Sequence, residues 1–238
     1  MIYILKSIVL IFIIFCSVQL TFGQEQNGPN KLYPILFNYS RNLYSEYDNI
    51  PGERRVILEE IANYIIGSLQ FEKESEILFL ETNNSTRSIM AEAWANAAAY
   101  YYGIDNVKIY SGGISSSQIS TDAIVSLEKA GFIIYKTSEK QNPTYEIKYS
   151  YNVTPVIVTS KKYNNKSNPD LNFGSVFLCS NADINLPVVK GNNFRTSLYY
   201  FDPTAYNDSP EAPEKYIERC HEIAIEMFYL FYTLKNAK

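Results

Sequence analysis

The residues best suited to chemistry lie between an apolar run and a helical pattern, at residues 81–88. Glu81 ends the apolar run, and Arg87 stands where the helical pattern begins. A tight loop between a strand and a helix directs backbone N–H groups and the positive end of the helix at one point. This pattern predicts an anion-binding loop in which the planar fork of Arg87 suits a tetrahedral oxyanion. Its predicted members are Thr82, Asn83, Asn84, Ser85, Thr86, Arg87 and Ser88.

The elements that must position this loop alternate between strand and helix. Such alternation predicts a parallel sheet covered on both faces, with ligands bound at the carboxyl ends of its strands. Glu81 and Asp202 both fall at such ends, so we expect Asp202 to lie near the loop. The predicted strands are 76–81, 107–110, 175–179 and 196–201, and the predicted helices are 88–102, 121–130 and 211–235.

Three motifs in this order resemble the low-molecular-weight protein tyrosine phosphatases and the related thioredoxin-coupled arsenate reductases. They are Arg87-Ser88-Ile89-Met90-Ala91-Glu92, Tyr110-Ser111-Gly112-Gly113 and Phe201-Asp202-Pro203. The resemblance implies a three-layer α/β sandwich with a mainly four-stranded parallel sheet. It also implies that Arg87 holds the oxyanion, that Asp202 is the general acid, and that Asn84 and Ser88 shape the loop.

Glu81 stands where the resemblance places the nucleophilic cysteine. A carboxylate is a poor nucleophile toward a phosphate dianion, and a glutamate side chain reaches further than a cysteine sulfur. We therefore expect the carboxylate of Glu81 to fold into the loop and pair with Arg87, in the space meant for a substrate. Two alternatives stay open: Glu81 points to solvent, or it forms an acyl phosphate, although no metal-binding group of carboxylates accompanies it.

The cysteines argue against an arsenate reductase. The resemblance to that enzyme implies three redox cysteines, one in the loop and two downstream. This sequence keeps Cys179 at the first downstream position, whereas Leu186 stands at the second. We expect Cys179 and Cys220 to be buried thiols, with a disulfide between them as the alternative.

Charge and histidine content exclude other classes of protein. The net charge is −4 and the basic residues form no stripe, which argues against nucleic-acid binding. His221 is the only histidine, so a histidine-based metal site or a serine–histidine pair is not expected. We expect neither a metal nor a cofactor.

Residues 1–23 predict an export signal. Lys6 precedes the apolar run 7–16, which is short for a membrane span, and small residues lead to a cleavage point after Gly23. We expect an exported protein, periplasmic or secreted, without stable membrane insertion after cleavage; an uncleaved anchor is the alternative.

The rest of the chain divides into an N-terminal arm with one helix and a phosphatase-like domain. Residues 24–74 form the first part, with a helix near 51–70 that Pro51 opens. Residues 75–238 form the second part, in which a β-rich insertion at about 132–172 covers the sheet edge or the mouth of the site.

These observations predict a pseudophosphatase that binds a phosphate-like anion or a phosphorylated ligand through residues 81–88. One alternative is residual phosphomonoesterase or protein tyrosine phosphatase activity that uses Arg87 and Asp202. The other is a structural domain that binds a protein partner through the helix at 51–70 and the insertion.

Overall fold

The computed structural model describes residues 31–237, so the predicted export signal and its cleavage point lie outside the described residues. The helices are α1 (Pro34–Leu43), α2 (Gly52–Phe71), α3 (Arg87–Tyr102), α4 (Thr121–Ala130), α5 (Ser180–Asn185) and α6 (Ala212–Asn236), with short 3-10 helices at Tyr44–Asn49 and Pro203–Tyr206. The strands are β1 (Ser75–Glu81), β2 (Val107–Gly113), β3 (Ile133–Lys136), β4 (Tyr145–Lys148), β5 (Val156–Val158), β6 (Phe173–Phe177) and β7 (Asn192–Ser197).

A four-stranded parallel sheet in the order β2-β1-β6-β7 forms the centre of the fold. Strand β1 is buried on both faces because its side chains alternate between two apolar clusters. Ile77 and Phe79 belong to the larger cluster, whereas Leu78 and Leu80 belong to a smaller one on the opposite face. The three-layer α/β sandwich predicted from the sequence is therefore confirmed.

Helix α6 holds the larger face together. It packs against α2, α3 and α4, and its buried stripe includes Cys220, Met227 and Phe231. Helix α4 begins with Ser120, whose hydroxyl accepts a hydrogen bond from Ala123 N, and ends at Gly131 in a left-handed conformation. On the other face, the short helix α5 contacts β1 and β6; the sequence pattern did not predict α5.

The part of the chain before the sheet is more helical than expected. The helix predicted near 51–70 is α2, but residues 34–49 also form α1 and a 3-10 helix instead of an irregular arm. The inner face of α1 consists of Leu36, Ser40 and Leu43. Only two of these three residues are apolar, so the helical period was hidden among polar and aromatic neighbours.

The β-rich insertion forms its own antiparallel sheet in the order β3-β4-β5. After β5 the chain returns to the carboxyl end of β2, where Gly113 N donates to Lys161 O at 2.9 Å and Tyr163 N donates to Gly113 O at 2.8 Å. Residues 161–163 thus cover the edge of the parallel sheet beside the anion loop.

Two predicted strand ends are shifted toward the N-terminus in the structure. Strand β6 ends at Phe177 and β7 at Ser197, instead of at 179 and 201. Leu198 N and Tyr200 N still donate to Phe177 O and Leu178 O, so the chain stays close to the sheet up to Asp202. Among residues 31–237, no helix combines the length and the apolar character that a membrane span requires.

Candidate anion site

The carboxylate of Glu81 lies inside the loop at residues 81–88. Its Oε1 accepts hydrogen bonds from Ser85 N at 2.8 Å, from Thr86 N at 2.9 Å and from Ser88 Oγ at 2.8 Å, with Ser88 N at 3.3 Å. Glu81 is the last residue of β1 and is only 2% exposed. The carboxylate therefore occupies the point at which the loop N–H groups and the N-terminus of α3 converge.

Asn84 gives the loop its shape. Its φ of 48° lies in the left-handed region, which asparagine tolerates better than most residues. Its side chain is held at both ends, since Asn84 Nδ2 donates to Ser88 Oγ at 2.8 Å and Asn84 Oδ1 accepts from Lys161 N at 2.8 Å. A Cβ atom on Gly113 would lie 2.8 Å from Asn84 N, so this neighbour must be a glycine.

Arg87 uses all three of its nitrogen atoms to hold groups around the loop. Its Nε donates to Glu81 Oε2 at 3.3 Å, its Nη1 to Tyr200 O at 3.0 Å and its Nη2 to Asp202 Oδ2 at 2.6 Å. Arg87 is 4% exposed, so these contacts lie largely away from water. The structure thus brings Glu81, Arg87 and Asp202 together.

The Asp202 carboxylate contacts both Arg87 and the turn that begins at Pro203. Its Oδ1 accepts from Thr204 N at 3.1 Å and from Thr204 Oγ1 at 2.8 Å, which caps the 3-10 helix that follows. Its side chain is 41% exposed, so Asp202 forms the outer side of the site. One guanidinium therefore faces two carboxylates, and this group of three residues carries a net charge of −1.

The remaining predicted loop residues form its outer rim. Thr82 O accepts from Ser115 N at 3.0 Å, Asn83 Oδ1 accepts from Ser115 Oγ at 2.7 Å, and Ser85 O accepts from Ser120 N at 2.8 Å. Sequence reasoning missed Ser115 and Ser120 as loop supports. The serine-rich stretch that follows Gly113 was the available signal, because serine hydroxyls and turn N–H groups commonly bond to neighbouring backbone.

Three other residues were missed because their contacts join distant parts of the chain. Glu226 on α6 accepts hydrogen bonds from Arg54 on α2 and from the Tyr200 hydroxyl. This group lies beside Arg87, which bonds to the Tyr200 carbonyl. Burial raises the pKa of the Tyr200 hydroxyl well above its ordinary value, and the negative charge of Glu226 adds to this effect. No local sequence pattern links these three positions.

Cys179 contacts the rim of the loop, where its Sγ lies 3.4 Å from Thr82 Oγ1, whereas Cys220 lies on α6. Cys179 and Cys220 are both free and buried, so the disulfide alternative is wrong. Cys220 Sγ accepts from Trp94 Nε1 at 3.2 Å, and burial raises the pKa of this thiol to about 12. Within residues 31–237, no group of three or more His, Cys, Asp or Glu side chains is placed to hold a metal ion.

Comparisons with known proteins identify the segment that carries the loop. The family model described as low molecular weight phosphotyrosine protein phosphatase matches residues 76–163. Curated protein sequences give no match to this chain.

Several solved structures resemble this chain at low sequence identity. A YwlE mutant from Bacillus subtilis is 17% identical, with a TM-score of 0.45 over 68% of this chain and 99% of that one. The YwlE arginine phosphatase from Geobacillus stearothermophilus is 19% identical, with a TM-score of 0.47 over 68% and 94%. An arsenate reductase in its oxidized state is 21% identical, with a TM-score of 0.43 over 67% and 98%. The likeness to the low molecular weight phosphotyrosine protein phosphatases predicted from the sequence is thus confirmed over residues 76–163, which include the whole anion loop.

Proposed function

We propose that this protein is an exported pseudophosphatase whose anion loop is filled by its own glutamate. The observation that carries the proposal is the buried Glu81 carboxylate, which accepts hydrogen bonds from Ser85 N, Thr86 N and Ser88. A phosphoryl oxygen bound in such a loop would need the same donors. Glu81 therefore acts as an internal substitute for the anion.

The same contacts argue against hydrolysis. Glu81 would have to leave its hydrogen-bond donors before it could attack phosphorus, and Asp202 is already paired with Arg87. A glutamate side chain also reaches further than a cysteine sulfur, so its carboxylate takes the space of the substrate, and a carboxylate is a poor nucleophile toward a phosphate dianion. Residues 81–88 contain no cysteine, so the loop carries a carboxylate where a thiolate nucleophile would stand.

A phosphate-like anion or a phosphorylated ligand can bind through residues 81–88 only when the Glu81 side chain moves out. The incoming anion would then take over the bonds to Ser85, Thr86 and Ser88 and pair with Arg87. This exchange separates the pseudophosphatase from a purely structural domain, in which the loop would bind no anion even without Glu81.

A hydrolysis assay with p-nitrophenyl phosphate tests the proposal. We expect the wild type to be silent and Glu81→Cys to turn over, because the thiolate restores a nucleophile and frees the loop. The double variant Glu81→Cys with Arg87→Ala should be silent again, which controls for contaminating hydrolases. Turnover by the wild type that Arg87→Ala abolishes would instead favour a residual phosphatase.

Isothermal titration of inorganic phosphate into Glu81→Gly tests ligand binding, with Glu81→Gln as the matched control that still fills the loop. Binding by Glu81→Gly alone supports exchange between Glu81 and an external anion. Failure of both variants to bind phosphate would favour the structural interaction domain.

The proposal that the protein is exported is supported by the sequence of residues 1–23, and it can be tested separately. N-terminal sequencing of the mature protein from a native-like host should begin at Gln24, in the periplasmic or secreted fraction. A cytoplasmic protein that starts at Met1 would contradict this part of the proposal.

A further inference from the structure

Arg54 connects helix α2, which precedes the parallel sheet, to helix α6. Its Nε donates to Glu226 Oε1 at 2.5 Å and its Nη2 to Glu226 Oε2 at 2.8 Å, so the guanidinium and the carboxylate of α6 form a two-point contact. Its Nη1 donates to Tyr199 O at 2.8 Å. Arg54 therefore contacts the segment that leads to Asp202, although α2 lies ahead of the segment that matches the phosphatase family.

Tyr200 continues this network toward the anion loop. Its hydroxyl donates to Glu226 Oε2 at 2.5 Å, and the centre of its ring lies 4.8 Å from the Arg54 guanidinium. Its carbonyl oxygen accepts from Arg87 Nη1 at 3.0 Å. Arg54 and Arg87 thus hold the consecutive carbonyl groups of Tyr199 and Tyr200.

The centre of this network is buried, whereas the Arg54 side chain is 18% exposed. Glu226 is 2% exposed and Tyr200 is 4% exposed. Arg219 also interacts electrostatically with Glu226, and its guanidinium lies 5.9 Å from the centre of the Tyr200 ring. Loss of the Arg54 guanidinium removes the two-point contact that Arg219 does not supply, so Glu226 and the Tyr200 hydroxyl would rearrange. Any shift of Tyr200 would move the carbonyl that aims Arg87 and, two residues later, the Asp202 carboxylate.

We propose that Arg54 is a positioning residue for the anion site. With Glu226 it fixes residues 199–202, and this segment in turn keeps Arg87 directed into the loop. Helix α2 then helps to position the residues of the anion site, in addition to packing against the domain. This inference concerns the direction of Arg87, so it does not depend on whether the loop is silent or catalytic.

The direct test follows the Arg87 Nε–H group by NMR in the full mature chain. We expect Arg54→Met to shift this resonance and to speed its hydrogen exchange about tenfold or more. Arg54→Lys keeps the charge but loses the two-point contact, so it should give an intermediate effect. Arg55→Met is the matched control: it removes an arginine from the next position of α2, which holds none of these contacts.

A merely structural ion pair gives a different result. In that case Arg54→Met lowers the melting temperature but leaves the Arg87 Nε–H resonance and its exchange rate as in the wild type, and the proposal is wrong. If Arg54→Met does not fold, Arg54→Lys decides, because this change keeps the charge but loses the two-point contact to Glu226. An unchanged Arg87 resonance in folded Arg54→Lys would equally overturn the proposal.

Phosphate binding gives an independent functional measurement. In the Glu81→Gly background, Arg54→Met should weaken the binding of inorganic phosphate about tenfold, whereas Arg55→Met should leave it unchanged. If Glu81→Gly itself binds no phosphate, the proposed function is wrong. The NMR measurement on Arg87 Nε–H still tests whether Arg54 positions Arg87.

Discussion

Two buried glutamates, each 2% exposed, are held by an arginine in different ways. Glu226 forms a two-point ion pair with Arg54, at 2.5 and 2.8 Å. Glu81 is bound mainly by backbone N–H groups and a hydroxyl, and Arg87 Nε reaches it only at 3.3 Å. Loop N–H groups can serve any anion of suitable shape, whereas the fork of Arg54 is matched to one carboxylate. Glu81 is therefore replaceable in principle, and Glu226 is not.

The largest effect should come from breaking the ion pair of Glu226. Arg54→Met removes the two-point partner of a buried carboxylate, while Arg219 stays near Glu226 and the Arg54 side chain is itself 18% exposed. We therefore expect a loss of about 3 kcal/mol in the free energy of unfolding, at the low end for a buried pair. Urea denaturation at neutral pH measures this. The double variant Arg54→Met with Glu226→Gln should recover part of the loss. A single-variant loss below about 1 kcal/mol would mean that the pair contributes no more than an exposed ion pair and would contradict the prediction.

Removal of the loop carboxylate should cost less and should be reversible by an external anion. Glu81→Ala leaves buried donors unpaired, which we expect to cost about 1–3 kcal/mol. Inorganic phosphate at a concentration about 100-fold above its dissociation constant should restore roughly 2.7 kcal/mol. Thermal denaturation with and without phosphate measures both effects.

The matched control for this rescue is Glu226→Ala, which should be destabilised and insensitive to phosphate. Equal responses of the two alanine variants to phosphate would erase the distinction between replaceable and fixed carboxylates.

The shape of the loop can be tested apart from its charge through Asn84. Asn84→Ala and Asn84→Gly both lose the side-chain contacts to Ser88 and Lys161, but only glycine accepts the φ of 48° without strain. We expect Asn84→Ala to be about 1 kcal/mol less stable than Asn84→Gly in urea denaturation. Equal stabilities would mean that the loop relaxes to another backbone conformation.

The smallest effect concerns a third buried glutamate, Glu92, whose pKa is raised by burial despite the opposing charge of Lys161 and a hydrogen bond from Ser111. A raised pKa in the folded state means that folding favours the protonated form. This contribution to stability is present at acid pH and is lost as the pH rises through the raised pKa.

We therefore expect Glu92→Gln to gain stability relative to the wild type as the pH rises from the acid range to neutrality. Melting curves across this range measure the difference. A difference that stays constant with pH would contradict the raised pKa of Glu92.

The parallel sheet and the loop were predictable because their signals are local. An apolar run followed by small polar residues and a helical pattern indicated β1, the loop and α3, and the alternation of elements placed Asp202 at the same edge. The expected direction of the Glu81 side chain also followed from its type, since a carboxylate beside converging N–H groups is attracted to them.

The residues that support the site could not be predicted, because their partners are far away in the chain. Arg54 bonds to Glu226 across 172 positions, and Lys161 N bonds to Asn84 across 77. Helix α1 was missed for another reason, since a buried Ser40 interrupts its apolar face. Helix α5 spans only six residues, which is too short for a periodic pattern to be recognised.

Because Glu81 is the last residue of β1, the group that fills the loop is tethered to the sheet itself. It cannot diffuse away, so its effective concentration at the loop is high and constant, whereas that of a free anion falls on dilution. A ligand competes with Glu81 only if its own local concentration is also high, for example when it is part of a larger molecule that is already bound beside the loop. On the proposed function, such a site would respond to a molecule docked beside it and would be insensitive to the concentration of free phosphate.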